Sequence, residues 1–525
     1  EHEWSRLIAA VATLGHLTGI LGSYFRKEIN RPSLRLLIFQ IISCLMIFLL
    51  IAREQQEAGY MRFTELSRLV ITAGLIAIPT LMSLTRIFEW LVGKQKKGRP
   101  LMAPAMQFVA SLGVVILAGT GLLLLPNSTY PGITLSFTDA LFTSTSAVCV
   151  TGLNAVDFAH TFTPLGEMFT LALIQIGGFG IMTFAYFVAM VAGQGFSLRD
   201  RVLLTDLLDE DNLGAVVSFI TTIVVSTLFI ELCGAVLLYF SWEGKDINLM
   251  GEPLWWHSLF HSVSAFCNAG FSTFPMNLME PGIRLCYSGQ AVIMVLIVCG
   301  GLGFGIYKEI NSRLANRFFS KHRRLHMQWT PYFKLVMIST GILLAGGALA
   351  IFAVSSPHAA EPLGEHLWIC LFDSVTARTA GFNISDYGRY LPAASLIMCG
   401  LMMVGGSPGG TAGGMRTTTC AIAGAEILRI LRGRDHVEFF RRRIDQRTVA
   451  RCVITVVVSC AWIGCFTVLI CALEPSMSSL DIFFENCSAF ATVGVSRGIT
   501  PDLSGPSKYP VSYTHLRAHE TLRHL

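Results

Sequence analysis

The sequence predicts an all-α polytopic membrane protein in which four pseudosymmetric repeats, each a helix, a re-entrant pore loop and a second helix, surround one pore. Three observations predict it. Of 525 residues, 53% are hydrophobic and 14% charged, and mean hydropathy is +0.58, more apolar surface than a soluble fold of this length carries. Ten stretches reach the roughly 20 mainly apolar residues that cross a bilayer. A short polar segment bearing one Gly recurs four times between long apolar stretches, and internal repetition decides architecture before any single residue does.

The recurring segments are Thr145–Leu153 (TSAVCVTGL), Val263–Phe271 (VSAFCNAGF), Val375–Phe382 (VTARTAGF) and Cys487–Val495 (CSAFATVGV). Registered on Gly152, Gly270, Gly381 and Gly494, each has a small or polar run before the Gly and an apolar residue after it. An aromatic (Phe142, Phe260, Phe372, Phe484) lies about ten residues upstream, and the third copy is one residue shorter.

In chain order, the apolar stretches fall at about 5–23, 33–52, 67–92, 106–126, 166–193, 212–240, 288–308, 333–354, 391–430 with a Gly-rich break, and 448–472. Residues 1–100 carry no Gly-bearing loop, so their three helices are read as peripheral packing or dimer contacts. Arg26, Lys27, Arg31 and Arg35 put their first connection inside, which leaves Glu1 outside and, with no initial Met, suggests further N-terminal sequence. The repeats are assigned to 101–198, 199–310, 311–432 and, incomplete, 433–510; they begin near 106, 212, 333 and 448 and run in one direction, which disfavours an inverted-repeat transporter.

The formal charge of +5 is distributed by topology, not along an aromatic-interleaved surface, so no nucleic-acid partner is expected. The loops at 94–99, 308–324 and 429–451 are basic, apart from the acidic run Asp206 to Asp211 in another linker. Those at 127–135, 355–366 and 473–480 contain no Lys or Arg. The positive-inside rule makes the first set cytoplasmic and brings every Gly-bearing loop in from outside. The 14 Cys residues are scattered through apolar segments without a CxxC pair, as buried thiols are.

Backbone carbonyls ringed on an axis can replace an ion's hydration shell, and Gly supplies the dihedrals that turn successive carbonyls the same way. The candidate ring is therefore Val150, Thr151 and Gly152; Asn268, Ala269 and Gly270; Thr379, Ala380 and Gly381; and Thr492, Val493 and Gly494. Short pore helices aim their C-terminal partial charge at the cation. Arg378 and Asp373 are charges at membrane depth, expected to pair with each other or with Glu485.

Gly177-Gly178 with Gly180, and Gly300-Gly301 with Gly303, read as close helix packing. In the third repeat the run Gly405, Gly406, Ser407, Pro408, Gly409, Gly410, Thr411, Ala412, Gly413, Gly414 cannot continue a helix cheaply. Unwound backbone at membrane depth survives only buried in protein or beside water, so this run reads as an intramembrane loop below the pore loops.

Enzymatic readings find no paired Asp, Ser/His pair or His/Glu metal set at membrane depth. Met415-Arg416, not Lys-Ser/Thr, follows the glycines, so no phosphate cradle is present. Past Pro501–Lys508, residues 511–525 are too short and polar to span; the fourth repeat is read as lacking its second helix, and the tail as non-native or frame-shifted. His515, His519, Glu520 and His524 do not have His-Glu-x-x-His spacing, so no transition-metal site is expected.

These segments together resemble the Trk/Ktr/HKT superfamily of potassium transporters, in its TrkH/KtrB-type membrane subunits, over about residues 101–508. The resemblance implies a fourfold pseudosymmetric pore within one chain in a bacterial cytoplasmic (inner) membrane. It also implies a homodimer and cytosolic RCK/KTN nucleotide-binding subunits. Gly in all four loops goes in that family with potassium over sodium, so K+ is the expected cargo, with no cofactor bound. The 405–414 loop matches the family's gate, moved through the helix leading to Arg429 and Arg432. The Arg that the family places in the fourth second helix has no counterpart. The alternatives are the potassium-binding membrane subunit of an ATP-driven pump, or a non-conducting truncated form.

Overall fold

The computed structural model describes residues 104–180, 216–319, 329–355, 362–440 and 442–521. The chain divides into two compact units, residues 1–111 with 182–197, and 112–181 with 198–525. The predicted spans at 5–23, 33–52 and 67–92, the cluster Arg26 to Arg35 and the run Asp206 to Asp211 lie outside the described residues.

Among its described residues the second unit is helical apart from a short antiparallel pair, β1 (Glu438–Phe439) and β2 (Arg442–Arg443). The first repeat comprises α1 (Pro104–Leu123), the short pore helix α2 (Phe137–Val148) and α3 (Pro164–Phe179). Ser136 and Thr163 cap the last two, accepting from Asp139 N and Gly166 N. The second has α4 (Val216–Trp242), pore helix α5 (Leu254–Phe266), α6 (Tyr287–Leu302) and α7 (Phe304–Phe319). The third has α8 (Pro331–Val354), pore helix α9 (Leu363–Thr376), α10 (Pro392–Met403) and α11 (Thr417–Leu431); the fourth has α12 (Gln446–Leu473), pore helix α13 (Ser479–Phe490) and α14 (Gly505–Thr521).

Among the described residues, α4, α8 and α12 contain segments of 23, 24 and 28 residues that are long and apolar enough to cross a membrane. The stretch expected to run straight over 288–308 does not. It bends by 94° between α6 and α7, because Gly303 takes φ +89°, a conformation closed to a continuing helix.

One joint recurs in every repeat. A pore-helix side chain reaches a backbone carbonyl of the first helix: Ser144 Oγ donates to Ile116 O at 2.7 Å, Ser262 Oγ to Glu231 O at 2.6 Å, Ser374 Oγ to Leu344 O at 2.8 Å, and Asn486 Nδ2 to Ile463 O at 2.8 Å. In the first three repeats a glycine one turn on (Gly119, Gly234, Gly347) admits the serine together with Leu173, Leu296 or Leu401 of the second helix. The upstream aromatics Phe142, Phe260, Phe372 and Phe484 are fully buried, each worth about 1.5–3 kcal/mol of hydrophobic stabilisation.

The sequence predicts no second helix in the fourth repeat. The structure has a helix there, but its 17 residues extend roughly 25 Å, short of the hydrocarbon thickness. It contains Pro510, and it buries Val511, Thr514 and His515, with the His515 ring edge-on to Phe142 at 5.4 Å. The side chains of His519, Glu520 and His524 are outside the described residues.

Candidate ion-conduction site

Each pore helix ends in a turn that the backbone itself closes. Thr151 N donates to Ser146 O at 2.7 Å, Ala269 N to Ser264 O at 2.7 Å and Val493 N to Ser488 O at 2.8 Å; in the shorter third copy Ala380 N reaches Thr376 O at 3.0 Å. The chain then alternates. Val150, Asn268, Thr379 and Thr492 have φ of +56°, +61°, +68° and +52°, and Gly152, Gly270, Gly381 and Gly494 have +85°, +70°, +78° and +91°. The residue between each pair keeps negative φ. Positive φ is unfavourable for β-branched Val and Thr, at about 1–3 kcal/mol each, and persists only where the surroundings impose it. The same strain in four loops indicates one shared constraint.

That constraint is a ring. A Cβ on Gly152 would strike Ala269 O and lie 3.1 Å from Gly270 Cα; one on Gly270 would meet Gly381 Cα at 2.6 Å and Ala380 O at 2.7 Å. One on Gly381 would meet Val493 O at 2.8 Å and Gly494 Cα at 3.4 Å, and one on Gly494 would strike Thr151 O and approach Gly152 Cα at 3.1 Å. The contacts therefore run from first to second, third and fourth loop and back to the first. Asn268 adds a side-chain link, donating from Nδ2 to Arg378 O at 3.2 Å and Thr379 Oγ1 at 3.3 Å.

The Gly pairs of the second helices support the ring from behind. A Cβ at Gly177 would strike Val148 O, and one at Gly300 would strike Phe266 O, so these helices touch the last pore-helix carbonyls directly.

The 405–414 run forms a loop between α10 and α11. It starts and ends in backbone pairing, Gly405 N to Met415 O at 2.8 Å and Met415 N to Met403 O at 3.2 Å. Its middle is bonded to the break between α6 and α7: Ser407 N donates to Gly301 O at 2.9 Å, Thr411 N to Gly300 O at 3.2 Å, and Phe304 N to Gly409 O at 3.0 Å. Thr411 Oγ1 reaches Phe266 O at 3.2 Å, and Tyr332 Oη donates to Pro408 O at 2.8 Å. Gly413 lies against Thr492, and Gly414 against Ala491. Gly406 abuts Ala412 and Gly410 faces Gly300 and Gly301. Arg416 laces the loop, donating from Nη1 to Ala412 O at 2.8 Å and Ser407 O at 3.3 Å. The glycines at 300–303 thus do more than pack: their break frees the carbonyls that receive the loop.

The expected charge pairing is not what forms. Asp373 accepts from Tyr387 Oη at 2.9 Å, from Tyr390 Oη and from Ser385 Oγ at 3.4 Å. Glu485 accepts from Ser496 Oγ at 2.6 Å and from Arg497 N and Thr500 Oγ1 at 2.8 Å. Arg378 lies beyond the end of α9, five positions after Asp373, and helical phase turns the two side chains apart. Its Nε and Nη1 have no hydrogen-bond partner among the described residues.

Sequence reasoning did not single out Arg497, which ties the fourth loop to the third repeat. Its guanidinium pairs with Asp481 at 2.6 Å and donates to Tyr387 O at 3.0 Å, Gly388 O at 3.2 Å and the Ser395 hydroxyl. Arg497→Met strands these acceptors, and the expected loss is about 1–3 kcal/mol. Thermal unfolding of the detergent-solubilised protein reads it; an unchanged midpoint overturns it. Arg429 and Arg432 stand at the end of α11, Arg429 paired with Glu426 at 2.7 Å. Among the described residues no group of three His, Cys, Asp or Glu could hold a metal ion.

The chain is 34% identical to the Ktr system potassium uptake protein B of Bacillus subtilis (strain 168) over 75% of this chain and 86% of that protein. It is also 34% identical to the protein of the same description from Vibrio alginolyticus, over 77% and 86%. The fold matches the crystal structure of the potassium transporter TrkH from Vibrio parahaemolyticus with a TM-score of 0.63 at 16% identity, covering 99% of this chain and 96% of that one. Residues 70–512 match the TrkH family, described as cation transport proteins. This multi-pass helical membrane chain, with its four strained loops closed into one ring, belongs to the TrkH family of cation transport proteins.

Proposed function

We propose that the chain takes up potassium across the bacterial cytoplasmic (inner) membrane, the ion passing the ring made by residues 150–152, 268–270, 379–381 and 492–494. The observation that carries the reading is the closed order of contacts Gly152, Gly270, Gly381, Gly494, each glycine against the next loop's backbone. Alternating left-handed residues turn consecutive carbonyls to one side, the arrangement that substitutes for ion hydration. The potassium uptake proteins to which the chain is similar support the choice of ion.

The loops face outside in this reading, and the 405–414 loop is the gate below them. It is bonded to one repeat's broken helix and pressed against another's filter residue. A cytosolic nucleotide-binding subunit of the RCK/KTN class, docking on the cytoplasmic linkers of a homodimer, withdraws it through α11.

Reconstituted in potassium-loaded liposomes, the chain should accumulate tracer rubidium against the potassium gradient and accumulate sodium poorly. Equal rubidium and sodium uptake, or none above protein-free liposomes even with residues 407–413 deleted, overturns the reading.

A further inference from the structure

The four repeats differ at one point that their shared joint makes visible. The carbonyl that receives the pore-helix side chain belongs to Ile116, Glu231, Leu344 and Ile463. Three are apolar and one is a carboxylic acid. Glu231 is the only charged residue of α4, its neighbours Phe229 and Leu232 are exposed on the outer surface of that helix, and it is itself 3% exposed.

The Glu231 carboxyl group faces inward, to the back of the second loop. Gln175 Nε2 donates to both its oxygens, at 3.2 and 3.1 Å, and Cys267 Sγ lies 3.6 Å from Oε1. Cys267 caps α5 and immediately precedes the strained Asn268. Gln175 also breaks the repeat. Counted two residues after the joint's leucine, its counterparts are Val298 and Met403. An acid and its amide partner thus occupy one junction of four, where three helices meet behind one quadrant of the ring. An ionisable side chain buried in a membrane is costly and marks a functional site.

We infer that Glu231 is a specificity-determining residue: its carboxyl group, held by Gln175 and Cys267, sets the cation affinity of the ring from behind the second loop. It touches no ion, and acts through the polar acid it places at one quadrant and through the position it gives Cys267. The inference rests on the reading of the ring as the cation path.

The test is rubidium uptake by the full chain in liposomes, with apparent KM and maximal rate read separately. Glu231→Gln keeps the shape and replaces the acid with an amide; KM should rise about tenfold, with the maximal rate within about twofold. Glu231→Asp, which keeps the acid, should recover most of that rise. An unchanged KM in Glu231→Gln, or an equal rise in Glu231→Asp, overturns the inference in favour of packing alone. Should Glu231→Gln fail to accumulate, the pair Glu231→Leu with Gln175→Met reproduces the third repeat's Leu344 and Met403; a wild-type KM in that variant overturns the inference too. Gly381→Ser separates the two levels. If it leaves the rubidium-to-sodium ratio intact, the ring reading fails; if it lowers the ratio while Glu231→Gln leaves KM unmoved, only the role of Glu231 fails.

Discussion

Gly381→Ser should lower the ratio of rubidium to sodium uptake by about tenfold or more, a change of about 1.4 kcal/mol per decade. Gly381 holds φ +78°, which a serine adopts only under strain. A Cβ there would stand 2.7 Å from Gly270 Cα and 2.8 Å from Val493 O. Both obstacles are backbone, one in the second loop and one in the fourth, so neither can swing aside as a long side chain would. The ring must widen on two sides at once, and a wider ring fits the ion to its carbonyls less closely. Gly341→Ser on α8 is the control, since nothing lies within 4 Å of its Cβ position. An unchanged ratio in Gly381→Ser removes the assignment of these loops as the selective element.

Deleting residues 407–413 should raise rubidium flux measured without any cytosolic partner by about tenfold, which corresponds to about 1.4 kcal/mol removed from the closed state. The deletion takes away the backbone bonds to Gly300, Gly301 and Phe304 and the contact between Gly413 and Thr492. A milder variant, Tyr332→Phe, loses the bond to Pro408 O and should shift flux in the same direction by a smaller factor. Flux that stays at the wild-type level in the deletion, in protein that still elutes as a single folded species, ends the gate reading.

The loops were legible because their signal is local and repeated. Small residues before a Gly, at four positions with the same upstream Phe, need no knowledge of distant contacts. The break at 405–414 was legible for the same reason, since Gly and Pro interrupt a helix wherever they stand. The bend at Gly303 was not: the glycines at 300–303 in an apolar run fit close packing equally well, and only the incoming loop shows which carbonyls the break releases. Arg378 does not pair with Asp373, because residues five apart at a helix end are turned away from each other by helical phase. Arg497, three residues past Gly494, gave no sign that it reaches into the third repeat.

Composition, hydropathy and internal repetition determined by themselves that this is a multi-pass helical chain with four equivalent loops. The hydrophobic effect and the backbone's need for hydrogen bonds in lipid act on every segment alike and leave their period in the sequence. The tertiary structure alone decided that Val150, Asn268, Thr379 and Thr492 adopt left-handed backbone, that the four glycines close in chain order, and that Glu231 stands behind Cys267. Each depends on contacts between separate elements, the ring contacts joining segments about a hundred residues apart, where local propensity favours the opposite conformation or names no partner at all.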